Sequence, residues 1–231
     1  MKRRTFISLM GVLTASGALS LAGCSNSSAS STAASASDQP ADQLDAIRQR
    51  GTLIVALEGA WQPWSYHDES DTLVGYDTEV SRAIAQKLGV EPEFVEINWD
   101  TKVVELDAKS IDCIWNGMTL TEDIVQNTAC TKPYAKNAQV VVVKKDTAYA
   151  STADLVGKTV VAEAGSAGES TIAGDENLSQ ADYISKAVQT DCLMEVAAGT
   201  ADAAVLDLTL AGAMTGADTD YADLTIVDEL N

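Results

Sequence analysis

Short runs of β-branched and aliphatic residues alternate along this chain with segments of helical period, and that alternation constrains the fold most. TLIVAL (52–57), EFVEI (93–97) and IDCIW (111–115) each read as a buried strand. A helix is expected at 42–50, with Leu44 and Ile47 on one side and Gly51 as its stop. A second runs from Asp77 or Thr78, either of which suits a cap, to Leu88. Val80, Ile84 and Leu88 recur there every four residues, and Gly89 follows. A third covers 101–109, with Val103 and Leu106 inward. EGAWQPWSY (58–66) is expected as an irregular loop, because Pro63 bars regular structure. QVVVVK (139–144) suits a strand leaving one lobe for another. The pattern then repeats: strand 158–163, a Gly-Ser turn, a weak helix, a helix over 187–198 striped by Val188, Cys192 and Val196, strand 203–206, a short helix from Leu208 and strand 224–227. Such alternation specifies an α/β fold, each lobe a mostly parallel sheet flanked by helices.

The N-terminus has a different grammar. Lys2, Arg3 and Arg4 precede an acid-free apolar stretch from Phe6 to Ala22, which ends in LAGC, Leu21 to Cys24. That order reads as a secretory signal over residues 1–23, and leucine with small residues before a cysteine resembles a lipobox. Cys24 is then the lipidation site, and the Ser/Ala-rich residues to Pro40 form a tether between lipid and folded body. Lobe 1 is expected over 41–142 and lobe 2 over 143–231. Without the three basic residues the net charge moves from −19 to −22. This acid excess excludes a phosphate-binding face for nucleic acid and fits either a solvated surface or a cationic ligand. Cys113 and Cys192 read as core residues, and the single histidine, His67, lies in a polar loop, so no metal site, cofactor or Ser-His-Asp triad is expected.

In open α/β sheets, ligands sit at the carboxyl ends of strands. Strand 52–57 ends in Glu58, with Trp61 and Trp64 just beyond. Strand 111–115 ends in Asn116, Gly117, Met118, Thr119 and Thr121. Strand 158–163 leads into a turn bearing Ser166 and Ala167, and strand 203–206 ends in Asp207. Together these offer an aromatic wall, hydroxyls, amides at helix N-termini for an anion, and two carboxylates for an ammonium or guanidinium. Each has a plainer reading: Thr119 and Thr121 as helix caps, GSAG as a turn, Asp207 as the cap of the helix from Leu208, and the tryptophans as core cover.

Several stretches in order, ALEGAWQPWSY, GYDTEVSRAIAQKLGV, IDCIWNGMTLTED, TKPY, VVVVKKD and ADAAVLD, resemble a type II, family 3 solute-binding lipoprotein of a polar-amino-acid ABC transporter. The resemblance implies a two-lobed periplasmic-binding-protein-like fold, an amino-acid ligand, a membrane permease as partner and an extracytoplasmic, lipid-anchored location. It implies that Trp61 stacks on the ligand and Glu58 meets its side chain or amine. Thr119 would hold the α-carboxylate, Ser166 and Ala167 add donors, and Asp207 takes the α-ammonium. An enzyme on the same scaffold, of the cyclic amino-acid-precursor dehydratase type, and a ligand-sensing ectodomain are the alternatives. Two departures stand out. Ile124 occupies the place of an arginine that grips the carboxylate, leaving Lys132 and Lys136 as possible donors, and Cys130 replaces a usual phenylalanine. The resemblance also leads one to expect a return segment to lobe 1 beyond Asn231.

Overall fold

Residues 42–230 are described in the structure, a computed structural model. The expected signal segment, the Cys24 lipidation site and the tether lie outside the described residues.

The first third builds a parallel sheet. Helix α1 (Gln43–Arg50) starts where the Asp42 side chain accepts the Asp45 N–H and stops at Gly51 in the left-handed region. Strand β1 (Thr52–Leu57) follows. The stretch expected as an irregular loop instead forms a small antiparallel sheet of β2 (Ala60–Trp61), β3 (Ser65–His67) and β4 (Leu73–Val74). Pro63 falls in the connection between β2 and β3, where its missing N–H costs no ladder bond. Helix α2 (Tyr76–Leu88) leads to β5 (Glu91–Glu96), and α3 (Lys102–Asp107) leads to β6 (Cys113–Ile114). The order β5-β1-β6 is parallel throughout, with Val55 beside Cys113 and Ala56 beside Ile114.

Two helix faces differ from their sequence pattern. On α2 the most deeply buried residues are Asp77, Thr78, Ser81 and Ala85, while Val80, Ile84 and Leu88 flank them half-buried. Gly75 takes the N-cap position and no side chain caps the helix, because Asp77 turns inward. On α3 the buried residue is Lys102. Val103 and Leu106 are half-covered, and Val104 is 67% exposed. Both exchanges put polar atoms where an apolar stripe was expected, and both lie beside the site described below.

After the six-residue α4 (Glu122–Asn127) the chain crosses to a five-stranded sheet made of β7 (Gln139–Lys144), β8 (Thr159–Glu163), β9 (Asp182–Lys186), β10 (Ala203–Asp207) and β11 (Leu224–Glu229), in the order β11-β7-β10-β8-β9. Strand β7 was expected to leave one lobe for the other, with a boundary at 142/143. It pairs along its length with β10 and β11, antiparallel to both, so it belongs wholly to the second sheet. Strand β9 was absent from the sequence reading; its burial alternates poorly and it closes the parallel edge beside β8. Helices α5 (Ala167–Gly174), α6 (Gln189–Ala198) and α7 (Leu208–Met214) complete this part.

Apolar clusters cover both faces of the second sheet. One joins Val140, Val142, Leu206, Cys192, Leu193 and Leu210; the other joins Val141, Val143, Val205, Ile172 and Leu178. The first sheet has a smaller cluster around Ile47, Leu53, Val55, Ala85 and Val90. Beside it lies a hollow of about 710 Å³, lined in part by Trp64, Leu106, Cys113, Trp115 and Tyr134.

Gly75 shows how tightly the small sheet is tied to α2. Its φ is +123°, and a Cβ there would lie 2.3 Å from the Trp64 carbonyl oxygen. Gly75→Ala is therefore expected to lower the unfolding free energy by at least about 2 kcal/mol, read as a lower urea midpoint at unchanged slope. A variant as stable as its parent would contradict this packing.

Candidate functional site

The strand ends converge on one cavity of about 360 Å³. Parallel pairing of β1 with β6 sets Glu58 beside Asn116. The Glu58 N–H donates to Asn116 Oδ1 (3.0 Å), and Asn116 Nδ2 donates to Glu58 Oε2 (3.0 Å). Gly117, Met118, Thr119 and Thr121 continue the same wall. From the second sheet come Glu163 at the end of β8, then Gly165, Ser166 and Ala167, and Asp207 at the end of β10. Of the eleven ligand-site residues expected from sequence, all line this cavity except Trp64. That ring packs edge-on against Tyr76 (5.5 Å) and Tyr134 (6.1 Å) and faces the larger hollow.

Several of these residues are engaged differently from their expected roles. Trp61 lines the cavity, but its ring is buried in the apolar cluster of the second sheet, so it wedges the small sheet against α6. Thr121 caps α4, its hydroxyl accepting the Ile124 N–H (3.3 Å). Ser166 caps α5 by accepting the Glu169 N–H (3.2 Å). Asp207 stands at the N-cap position of α7, but its side chain makes no capping bond and is not a bare carboxylate. Its Oδ1 accepts from Gln139 (2.9 Å), Thr119 (3.3 Å) and Asn137, and its Oδ2 accepts from Gln189 (2.5 Å). Burial pushes its carboxyl up, and these four donors act against that. Gln189 also accepts the Asp207 N–H (3.0 Å), which fixes both faces of its amide.

Position 124 brings no charge to the cavity, and the basic side chain in its wall comes from elsewhere. Ile124 is buried on the cavity wall and its side chain donates nothing. Lys132 and Lys136 are exposed and line no part of this cavity. Lys102 does. Its Nζ donates to the Gly165 carbonyl (2.7 Å) and the Trp99 carbonyl (3.0 Å), and lies 4.8 Å from the Trp99 ring centre. An ammonium has three protons, so one remains for a further acceptor. Burial pushes the Lys102 pKa down, while Glu163, Asp100, Glu58 and Asp123 oppose it. Gly165, at φ +68°, passes so near Asp100 that a Cβ would sit 2.8 Å from the Asp100 Cα. The two sheets therefore meet through backbone here, and only a glycine permits it.

Sequence reasoning missed Trp99, Asp100, Lys102, Glu163, Gln189 and the amides of Asn137 and Gln139. Glu163 was accessible to the strand-end rule: it ends β8 as Glu58 follows β1 and Asp207 ends β10. Lys102 carried no such signal, since a lysine in a polar helix reads as solvated. Among the described residues no cluster of His, Cys, Asp and Glu could hold a metal ion, and no helix is long and apolar enough to cross a membrane.

The sequence matches the bacterial extracellular solute-binding proteins, family 3, over residues 53–203. The chain belongs to that family. A probable amino-acid ABC transporter-binding protein of Haemophilus influenzae is 36% identical over 115 residues, covering 49% of this chain and 45% of the relative. The L-cystine-binding protein TcyA of Bacillus subtilis is 38% identical over 122 residues, covering 51% and 44%. The alignments thus span under half of either relative's own length. Among solved structures, an arginine-bound glycine-to-alanine mutant of ArgBP from T. maritima superposes with a TM-score of 0.75 at 34% identity, over 81% of this chain and 87% of that one. The family 3 chain therefore has the two-lobed type II fold of periplasmic amino-acid-binding proteins.

Beneath the cavity floor, Asp77 is wholly buried and accepts the Tyr134 hydroxyl at both oxygens (3.0 Å each). Burial raises its carboxyl to about 6, against the pull of Tyr134 and the Gly117 backbone N–H. The folded state thus holds this proton more tightly than the unfolded chain, and Asp77 subtracts stability as pH rises from about 4 to beyond 6. Asp77→Asn is expected to shrink the fall in urea midpoint between about pH 4 and pH 7. An unchanged fall would remove Asp77 from the titration.

Proposed function

We propose that this chain is the extracytoplasmic binding component of an ABC importer and captures a small polar solute, an amino acid, by closure of its two lobes. The observation carrying the reading is a cavity shared by both sheets, walled by Glu58, Asn116, Thr119, Lys102, Ser166 and Asp207. Its volume suits a solute of amino-acid size, and its walls offer donors and acceptors at close quarters. The names of the relatives, an amino-acid transporter-binding protein, an L-cystine-binding protein and an arginine-bound protein, support the same class.

In this reading the third Lys102 proton and the Ser166–Ala167 turn hold the α-carboxylate, replacing the arginine absent at Ile124. Asp207, shaped by its amide donors, receives the α-ammonium. Trp61 presents its ring edge to the ligand. Lys102 to Gly165 and Thr119 to Asp207 join the two sheets, which fits a clamp whose closure a membrane permease reads. The lipobox-like LAGC supports export, cleavage after residue 23 and anchoring through a lipid on Cys24.

Calorimetric titration with the common amino acids is the direct test. At least one is expected to bind, and Lys102→Met is expected to weaken that ligand about 10- to 100-fold through loss of a charge-assisted hydrogen bond. Silence with every amino acid, alongside heat from a sugar or peptide, would reject the amino-acid class. Unchanged affinity in Lys102→Met would remove Lys102 from the carboxylate site.

A further inference from the structure

Among the described residues, Glu58, Asp100, Asp123, Glu163 and Asp207 line the cavity against Lys102 as its one basic side chain. Part of this negative charge is met by protein groups. Asp207 has its four donors, and Asn116 donates to Glu58. Glu163 differs. It is 1% exposed, its polar neighbours are the Glu58 carboxyl and the Gln189 amide, and among the described residues no N–H lies within hydrogen-bond distance of either oxygen. A buried carboxyl without a donor is unstable when ionised, unless a proton or a bound cation stands beside it.

We propose that Glu163, facing Glu58 from the opposite sheet, is the specificity-determining residue of this site and receives the cationic end group of a ligand bearing net positive charge, a guanidinium or an alkylammonium. This inference rests on the solute-binding reading above. Charge balance carries it further than that reading. A zwitterion brings one charge of each sign, used at Lys102 and Asp207, and adds no cation to the Glu58–Glu163 pair, which then shares Lys102 with the ligand carboxylate. A second positive charge on the ligand supplies one. A planar guanidinium has five N–H donors and can serve two carboxylates at once.

The pair also sets a proton count. Burial pushes both carboxyls up, and each bears on the other across the cleft, which favours one proton shared by the pair when no cation stands beside it. The remaining titratable groups coupled to the pair are Lys102, which favours ionisation, Asp207, which opposes it, and Cys192 and Tyr183, both pushed up by burial and therefore neutral. An incoming cation favours two carboxylates, and the shared proton leaves to solvent. No covalent bond of the ligand changes.

The test titrates the full chain with arginine and with citrulline, which replaces the guanidinium by an uncharged ureido group of the same shape. Each titration is run near neutral pH in two buffers of different ionisation enthalpy. Arginine is expected to bind at least about 10-fold more tightly than citrulline, with a heat that shifts between buffers as proton release requires. Citrulline heats should not shift. Glu163→Gln, which keeps side-chain shape, is expected to bring arginine to the citrulline level and to abolish the buffer shift. Glu58→Gln provides a second variant with the same expectation. Citrulline binding as tight as arginine, or an arginine preference that survives Glu163→Gln, overturns this inference and leaves the solute-binding reading standing. Silence from both ligands and from every other amino acid overturns both.

Discussion

Everything at the centre of this protein depends on strands from two sheets ending against one another with buried polar groups at their tips. A buried carboxylate costs several kcal/mol unless donors surround it. The fold meets that cost by contributing donors from both sheets to the same atoms. Asp207, from the second sheet, accepts from Thr119 in the first and from Asn137 in the crossing segment. Lys102, from the first, donates to Gly165 in the second. The bonds that relieve these groups are therefore the bonds that hold the two sheets in register.

The two sheets are built unequally around that contact. The second has apolar clusters on both faces, and its central strands β7, β10 and β8 are buried along nearly their whole length. The first has one small cluster and borders a wide hollow. Trp61 links the two, carried by the small antiparallel sheet yet packed in the second sheet's core. Asp77 and Tyr134 brace the Gly117 turn from below. The cavity thus has a rigid wall in the second sheet and a wall of turns and helix ends in the first.

Much of this was legible from local pattern. Strands β1, β5, β7, β8, β10 and β11 and helices α1, α2, α6 and α7 follow from hydrophobic period and glycine stops. The strand-end rule located Glu58, Asn116, Thr119 and Asp207. The errors share a cause. Val80, Ile84 and Leu88 make the cleaner apolar stripe on α2, yet the more buried line is Asp77, Thr78, Ser81 and Ala85, because small residues allow close approach and Asp77 is held by Tyr134. Trp64 directly follows Pro63 and is grouped with Trp61 by sequence, but the turn of the β2–β3 hairpin sends it to the other side. Lys102 carries no sequence signal, because nothing within several residues of it predicts the Gly165 carbonyl.

The sequence by itself determined the alternation of elements, the sign of the charge and the strand ends at which polar chemistry gathers, since these follow from periods of two to four residues and from composition. Only the tertiary structure decided which buried charges face one another. Glu58 and Glu163, and Lys102 and Gly165, are separated by many tens of residues and meet only because two sheets pack end to end. The physical reason is range: propensity and capping act over one or two turns of chain, whereas desolvation and Coulomb interactions act through space between groups that the chain order keeps apart.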